Sequence, residues 1–121
     1  MEKNPEVSLC LSNGLVSERL ILNHSTPFPP NNGNPDYPHP ILADLRVRQA
    51  IQYAIDKDTI IGKLLYGKAQ PGTTEIPDGW AHNPDVKPTE YDPEKAKQLL
   101  DAAGWKPGTD GIREKDGTRL R

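Results

Sequence analysis

Apolar residues recur at helical spacing in two stretches of this chain, and polar residues, prolines and glycines fill most of the rest. The first stretch is DLRVRQAIQYAIDKDTIIGKLLYG, from Asp44 to Gly67. At about 100° per residue, Val47, Ala50, Ile51, Ala54 and Ile55 share one face of a helix, and Asp44 is a residue type that accepts the free amides at a helix start. Asp56 suits a second cap, opening a helix with Ile60, Ile61, Leu64 and Leu65 as its apolar stripe. Gly67 is placed to end that helix in the left-handed conformation. The second stretch, DPEKAKQLLDAAGW, offers Asp92 as N-cap, Pro93 at the first helical position and Glu94 in the first turn. Ala96, Leu99, Leu100 and Ala103 form its stripe. Gly104 then falls where a left-handed residue closes a helix, and Trp105 follows where it can pack back on Leu100. Helices are therefore predicted within residues 44–67, as a pair, and over 92–104.

The remaining segments predict little regular structure. Residues 1–19 carry no usable period and stay unassigned. SERLILNHS, Ser17–Ser25, has a short apolar centre at Leu20, Ile21 and Leu22 and reads as a strand. TPFPPNNGNPDYPHP, Thr26–Pro40, holds six prolines, a density that forces extended backbone and marks residues 26–43 as a connector. A proline-rich ligand for a partner domain is one use of such a segment, but the PxxP spacing is incidental and a lid or spacer is the simpler reading. Ala69–Tyr91 is a second loop rich in proline and glycine with Trp80 at its middle, read as a hydrophobic plug in preference to an aromatic platform. Asp116-Gly117 is a two-residue hairpin signal, so residues 112–121 read as a hairpin cut short as its second arm begins. The fold class is mixed α/β and helix-rich, about three helices with short strands.

Composition narrows the function. Hydrophobic residues are 34% of 121, and counting glycine with them still leaves the share below the roughly 45–50% of an ordinary globular domain. With thirteen prolines besides, the chain is expected to bury a thin core for its length. Net charge is −2 and the pI about 5.9, with 15 basic and 17 acidic residues interspersed, which argues against an electrostatic nucleic-acid binder. The two helices around Asp56 invite comparison with a helix-turn-helix, but their junction is too tight for its turn, and the second helix offers only Lys57 and Lys63 as cations. No apolar run is long enough to span a membrane. EKNPEVS after Met1 lacks the apolar core of a secretory signal, and the single Cys10 permits no internal disulfide.

Candidate chemistry is sparse. His24, His39 and His82 lie on separate loops without metal-ligand spacing, and no nucleophile or phosphate-cradling motif occurs. No catalytic residue, metal or cofactor is expected, and the chain is not read as an enzyme. One feature needs explaining: Arg46 and Arg48 sit in the first turn of a helix, where the positive end of the helix dipole disfavours cations. Both flank the apolar face, so they can lay their stems over it and reach sideways to carboxylates. Asp44, four residues before Arg48, is the obvious local partner.

Two blocks in order, DLRVRQAIQYAIDKDTIIGKLLYGKAQPGTTEIPDGWAHNP and YDPEKAKQLLDAAGW, preceded by LILNHSTPFPP, resemble the large extracytoplasmic solute-binding proteins that feed peptide, nickel and oligosaccharide ABC transporters. The resemblance covers residues 20–121. It implies that these residues are a fragment of the C-terminal lobe of a type II periplasmic-binding-protein fold, in which ligand is held between two lobes and no reaction occurs. It implies peptide or another small solute and ABC permease subunits as partners of the longer protein, in the periplasm or on a membrane-anchored lipoprotein, with no nucleic acid. Asp44, Arg46, Arg48, Asp56, Gly67, Asp92, Gly104 and Trp105 are then scaffold residues. Asn23, Lys63 and Trp80 are the candidate ligand contacts, against plain readings as a turn hydrogen bond, a solvated lysine and a plug. NNGNPDYPHPI before Asp44 is longer than the family's usual short link. A transcription regulator carrying the same lobe as a sensor is the alternative function, and the isolated fragment is expected to self-associate.

Overall fold

The structure is a computed structural model that describes residues 5–8, 10, 12, 17–76 and 79–120. The chain forms two compact units, Leu20–Asp56 with Thr89–Arg121, and Met1–Arg19 with Lys57–Pro88. The first unit contains α1 (Leu45–Ala54), α3 (Pro93–Ala102) and a three-stranded antiparallel sheet of β1 (Lys106–Pro107), β2 (Arg113–Lys115) and β3 (Thr118–Arg119). The second contains α2 (Lys57–Leu64).

Capping sets the limits of the two packed helices. The Asp44 carboxylate accepts the Arg46 N–H at 2.9 Å, and Asp92 accepts the Lys95 N–H at 2.9 Å with Pro93 behind it. α3 ends in a Schellman turn: Trp105 N–H donates to the Leu100 carbonyl (2.9 Å), Gly104 N–H donates to that of Asp101 (3.0 Å), and Gly104 takes φ +90°. α1 and α3 pack antiparallel. The Asp92 N–H reaches the Tyr53 carbonyl (2.9 Å) at one end of the pair, while Arg46 reaches the Ala102 carbonyl (2.6 Å) at the other. Between them lies the core of Val47, Ala103 and Trp105, with Ile41, Leu42, Ile51, Leu100 and Leu120 packed against it. Only Val47, Ala50, Ala96, Ala103 and Trp105 are buried among the described residues, so the core is as thin as the composition predicts.

The sheet is a meander after Trp105, with Lys106 opposite Glu114, Glu114 opposite Arg119 and Lys115 opposite Thr118. Asp116 and Gly117, with φ +49° and +76°, make the expected tight hairpin turn. The β1 strand is not anticipated by the sequence pattern, because Lys106–Pro107 has no alternation. Its proline is tolerated on an edge strand, where no ladder donor is needed. The turn back from β1 requires glycine at 108, since a Cβ there would sit 2.6 Å from the Ile112 carbonyl oxygen.

Several expectations are corrected. Ser17–Ser25 is not a strand. Only an isolated bridge joins Ser25 to Pro38, and Leu20 and Ile21 are exposed. A three-residue apolar run needs a neighbouring ladder to become a strand, and among the described residues none lies beside it. The connector at 26–43 is not simply extended: the Thr26 N–H to Tyr37 carbonyl bond (2.8 Å) and the His39 N–H to His24 carbonyl bond (2.7 Å) close it into a loop. α2 buries none of its residues, and Ile60, Leu64 and Leu65 are exposed. Its ending at Gly67 is left-handed as expected, with φ +70°; Tyr66 before it is left-handed too, with φ +53°, and the Gly67 N–H bonds back to the Ile61 carbonyl at 2.9 Å.

Candidate functional site

The densest chemistry surrounds the C-terminus of α3. The last carbonyls of a helix have no internal partner and carry the negative end of its dipole. Three cations serve them, and a fourth serves the carbonyl of Trp105 just beyond. Arg46 Nη1 donates to Ala102 O at 2.6 Å, Lys115 Nζ to Ala103 O at 2.8 Å and Arg113 Nη1 to Trp105 O at 2.6 Å, while Lys106 Nζ reaches Asp101 O more loosely at 3.5 Å. Arg113 also holds Asp101 Oδ1 at 2.6 Å.

This arrangement accounts for the arginines in the first turn of α1. The antiparallel pairing brings the positive end of α1 against the negative end of α3, so Arg46 answers the second dipole while standing on the first. Its guanidinium also forks onto Asp44, Nε to Oδ1 at 3.0 Å and Nη2 to Oδ2 at 2.7 Å. That hydrogen bond from Arg46 holds the Asp44 carboxyl below the usual carboxylate range, and the one from Arg113 does the same to Asp101. The expected Asp44–Arg48 pair does not form. Arg48 turns to the carbonyls of Leu42 (2.7 Å) and Ala43 (2.8 Å), because the adjacent Arg46 occupies both carboxylate oxygens of Asp44. All these groups are mutually satisfied, and the cluster is scaffold chemistry that presents no vacant donor set.

The candidate ligand contacts lie elsewhere. Asn23 belongs to the unit of α1 and α3. It is exposed, and its Oδ1 accepts the Ser25 N–H at 3.1 Å, an Asx turn. Lys63 and Trp80 belong to the other unit, with no hydrogen bond or ion pair between them among the described residues. Lys63 is exposed on α2. Trp80 is 100% exposed, which overturns the plug, and no described residue of its unit is buried. It stands in a turn in which the His82 N–H returns to the Gly79 carbonyl at 3.1 Å.

An apolar groove of about 170 Å³ runs beside α1 and α3, lined by Ile41, Leu42, Ile51, Ala54, Leu100 and Leu120 among others. Among the described residues no group of three or more His, Cys, Asp or Glu side chains is placed to hold a metal ion, and no helix is long and apolar enough to cross a membrane. Cys10 is exposed and free. Sequence reasoning missed His39, whose Nδ1 accepts the N–H groups of Ile41 (3.1 Å) and Leu42 (2.9 Å). No short-range pattern distinguishes a histidine in that role from any other loop histidine.

The capped, antiparallel helix pair and its short meander are a structural scaffold element. The sequence model of the bacterial extracellular solute-binding proteins, family 5, middle region, matches residues 1–120, and this chain belongs to that family. The nickel-binding periplasmic protein of Escherichia coli is 37% identical over 121 residues, 98% of this chain and 21% of that protein. NikZ of Campylobacter jejuni, solved with Ni(L-His), superposes with a TM-score of 0.64 at 43% identity over 68% of this chain and 17% of its own. The oligopeptide-binding protein of Thermus thermophilus, solved with a pentapeptide, gives 0.59 at 36% identity over 66% and 14%. The three helices and short strands are accordingly part of a type II periplasmic-binding-protein fold, and the chain spans about a fifth of the length of such relatives.

Proposed function

We propose that this chain is part of the C-terminal lobe of an ABC-importer solute-binding protein that captures a solute between two lobes and delivers it, unchanged, to a membrane permease. The observation that carries this reading is the family match across residues 1–120. The longer protein is read as extracytoplasmic, in keeping with relatives named as periplasmic.

Oligopeptide is the proposed solute class, supported by the likeness to a binding protein solved with a pentapeptide. A nickel complex is the second reading, favoured by the alignment of 98% of this chain with a nickel-binding periplasmic protein. Asn23, Lys63 and Trp80 are the proposed contacts within this chain: an amide for a peptide group, an ammonium for a carboxylate, and an indole for a flat or apolar side chain. The alternative of a regulator's sensor lobe draws no support from these relatives. Isothermal titration of the longer protein with pools of peptides, nickel chelates and oligosaccharides tests the assignment. Saturable heat with peptides is the expected result. Heat with nickel chelates alone moves the solute to the second reading, and no heat with any pool overturns solute capture.

A further inference from the structure

We propose that His39 is a proton-operated latch on the segment leading into α1. Its Nδ1 accepts two backbone amides at once, Ile41 N–H at 3.1 Å and Leu42 N–H at 2.9 Å. An imidazole nitrogen accepts only through its lone pair, so this geometry requires a neutral ring with the proton on Nε2. The turn it braces is short: Ala43 N–H returns to the His39 carbonyl at 3.2 Å and Asp44 N–H to that of Ile41 at 3.4 Å, immediately before α1. Ile41 and Leu42 pack on the Val47–Ala103–Trp105 core and wall the apolar groove. The latch therefore holds a segment that packs against the core and walls the groove.

Protonation converts Nδ1 from an acceptor to a donor. Two amide N–H groups then face a third N–H, and the turn loses both side-chain bonds together. Histidine is the side chain that ordinarily makes this change in the mildly acidic range, and half-buried His39 has a route to solvent. The charged and titratable groups around it are His24 across the Ser25–Pro38 bridge, Arg48 on the carbonyls of Leu42 and Ala43, and Asp44 at the start of α1. Lys115 and Asp116 lie around the neighbouring Pro40. Arg48 has its own carbonyl partners and Asp44 is engaged by Arg46, so neither is left to neutralise an imidazolium. Acid releases the Ile41 and Leu42 amides while the Schellman end of α3, which contains no imidazole, stays closed.

The same geometry argues against a metal site on the two histidines. His24 and His39 stand opposite each other across the bridge, but a ligating imidazole presents a free lone pair, and that of His39 is already taken.

Amide hydrogen exchange and histidine nitrogen NMR on this chain test the latch. The expected spectrum at neutral pH shows His39 as the Nε2–H tautomer. Between pH 7.5 and 5, protection factors of the Ile41 and Leu42 amides are expected to fall by about tenfold, while those of Ala103 and Trp105 hold. His39→Asn supplies an oxygen acceptor that does not titrate, and is expected to keep protection at both pH values. His39→Leu is expected to lose protection at both, and His24→Asn to behave as the native chain. An Nδ1–H tautomer, unchanged protection in the native chain, or an equal acid loss in His39→Asn would each overturn the proposal.

Discussion

Asp44 shows how much one carboxylate settles here. It caps α1 through its own oxygen and at the same time forks onto Arg46, which extends to the end of α3. Asp101 does the corresponding work with Arg113. Both acids are held below the ordinary range, by the hydrogen bond from Arg46 and from Arg113 respectively. A lowered folded value means that the stabilisation is fully present above the unfolded value, about 4, and is lost as pH falls through the folded one. The melting temperature of the chain should therefore drop as pH goes below about 4. In the Asp44→Asn, Asp101→Asn double variant, which keeps the cap oxygen, the drop should be shallower. An equal slope in both would remove these pairs as the cause. The two tryptophans give a second test, since Trp105 is 3% exposed and Trp80 100%. Trp80→Phe should leave blue-shifted emission that acrylamide quenches poorly, and Trp105→Phe should leave red-shifted, readily quenched emission. The opposite order would contradict the core.

Among the elements, α3 is the best specified. Its start is made by Asp92 just before it and its stop by the three residues after it, Ala103 to Trp105, so it needs little from the rest of the fold. Gly104 at φ +90° is the critical position. A β-branched residue there is strained by about 1–2 kcal/mol, and the new Cβ would come 3.3 Å from Lys115 Cε, a chain that must shift. Gly104→Val should lower the thermal midpoint by several degrees, since 1 kcal/mol moves a domain of this size by about 4–8 °C. Coincident melts would show that the left-handed cap is absent. α2 is the contrary case: good signals at both ends, with Gly67 left-handed as expected, but no buried residue and a second left-handed residue at Tyr66.

At the scale of the molecule, the exposed stripe of Ile60, Leu64 and Leu65 and the open groove beside α1 leave apolar surface in water. Such patches recruit other apolar surfaces. The chain should self-associate, with a scattering mass that rises above 13.4 kDa with concentration; a clean monomer at high concentration would contradict this. On that face of α1, α3 and the connector residues Ile41 and Leu42 cover Val47, while Ile51 and Ala54 line the open side of the groove. Because a binding site must enclose most of its ligand, this chain alone should give no saturable micromolar heat with peptides. Such heat would mean that Asn23, Lys63 and Trp80 suffice for binding without the rest of a cleft.

The sequence by itself determined what is local: the caps at Asp44 and Asp92, the Gly104–Trp105 stop, the Asp116-Gly117 turn, the apolar faces of α1 and α3, and the family, whose two helical blocks are contiguous motifs. These depend on interactions within a few residues, which spacing and residue type record directly. Tertiary structure alone decided the partner of each cation. Arg46 and Arg48 look equivalent in the sequence, yet one answers the dipole of a helix that begins 47 residues later and the other takes carbonyls behind it. It likewise decided that Leu20–Leu22 has no ladder, that β1 exists at an edge, that Trp80 is uncovered, and that the His39 lone pair is engaged. Each of these turns on which surfaces meet, and the free energy of meeting belongs to pairs of segments far apart in the chain, where no one-dimensional pattern carries it.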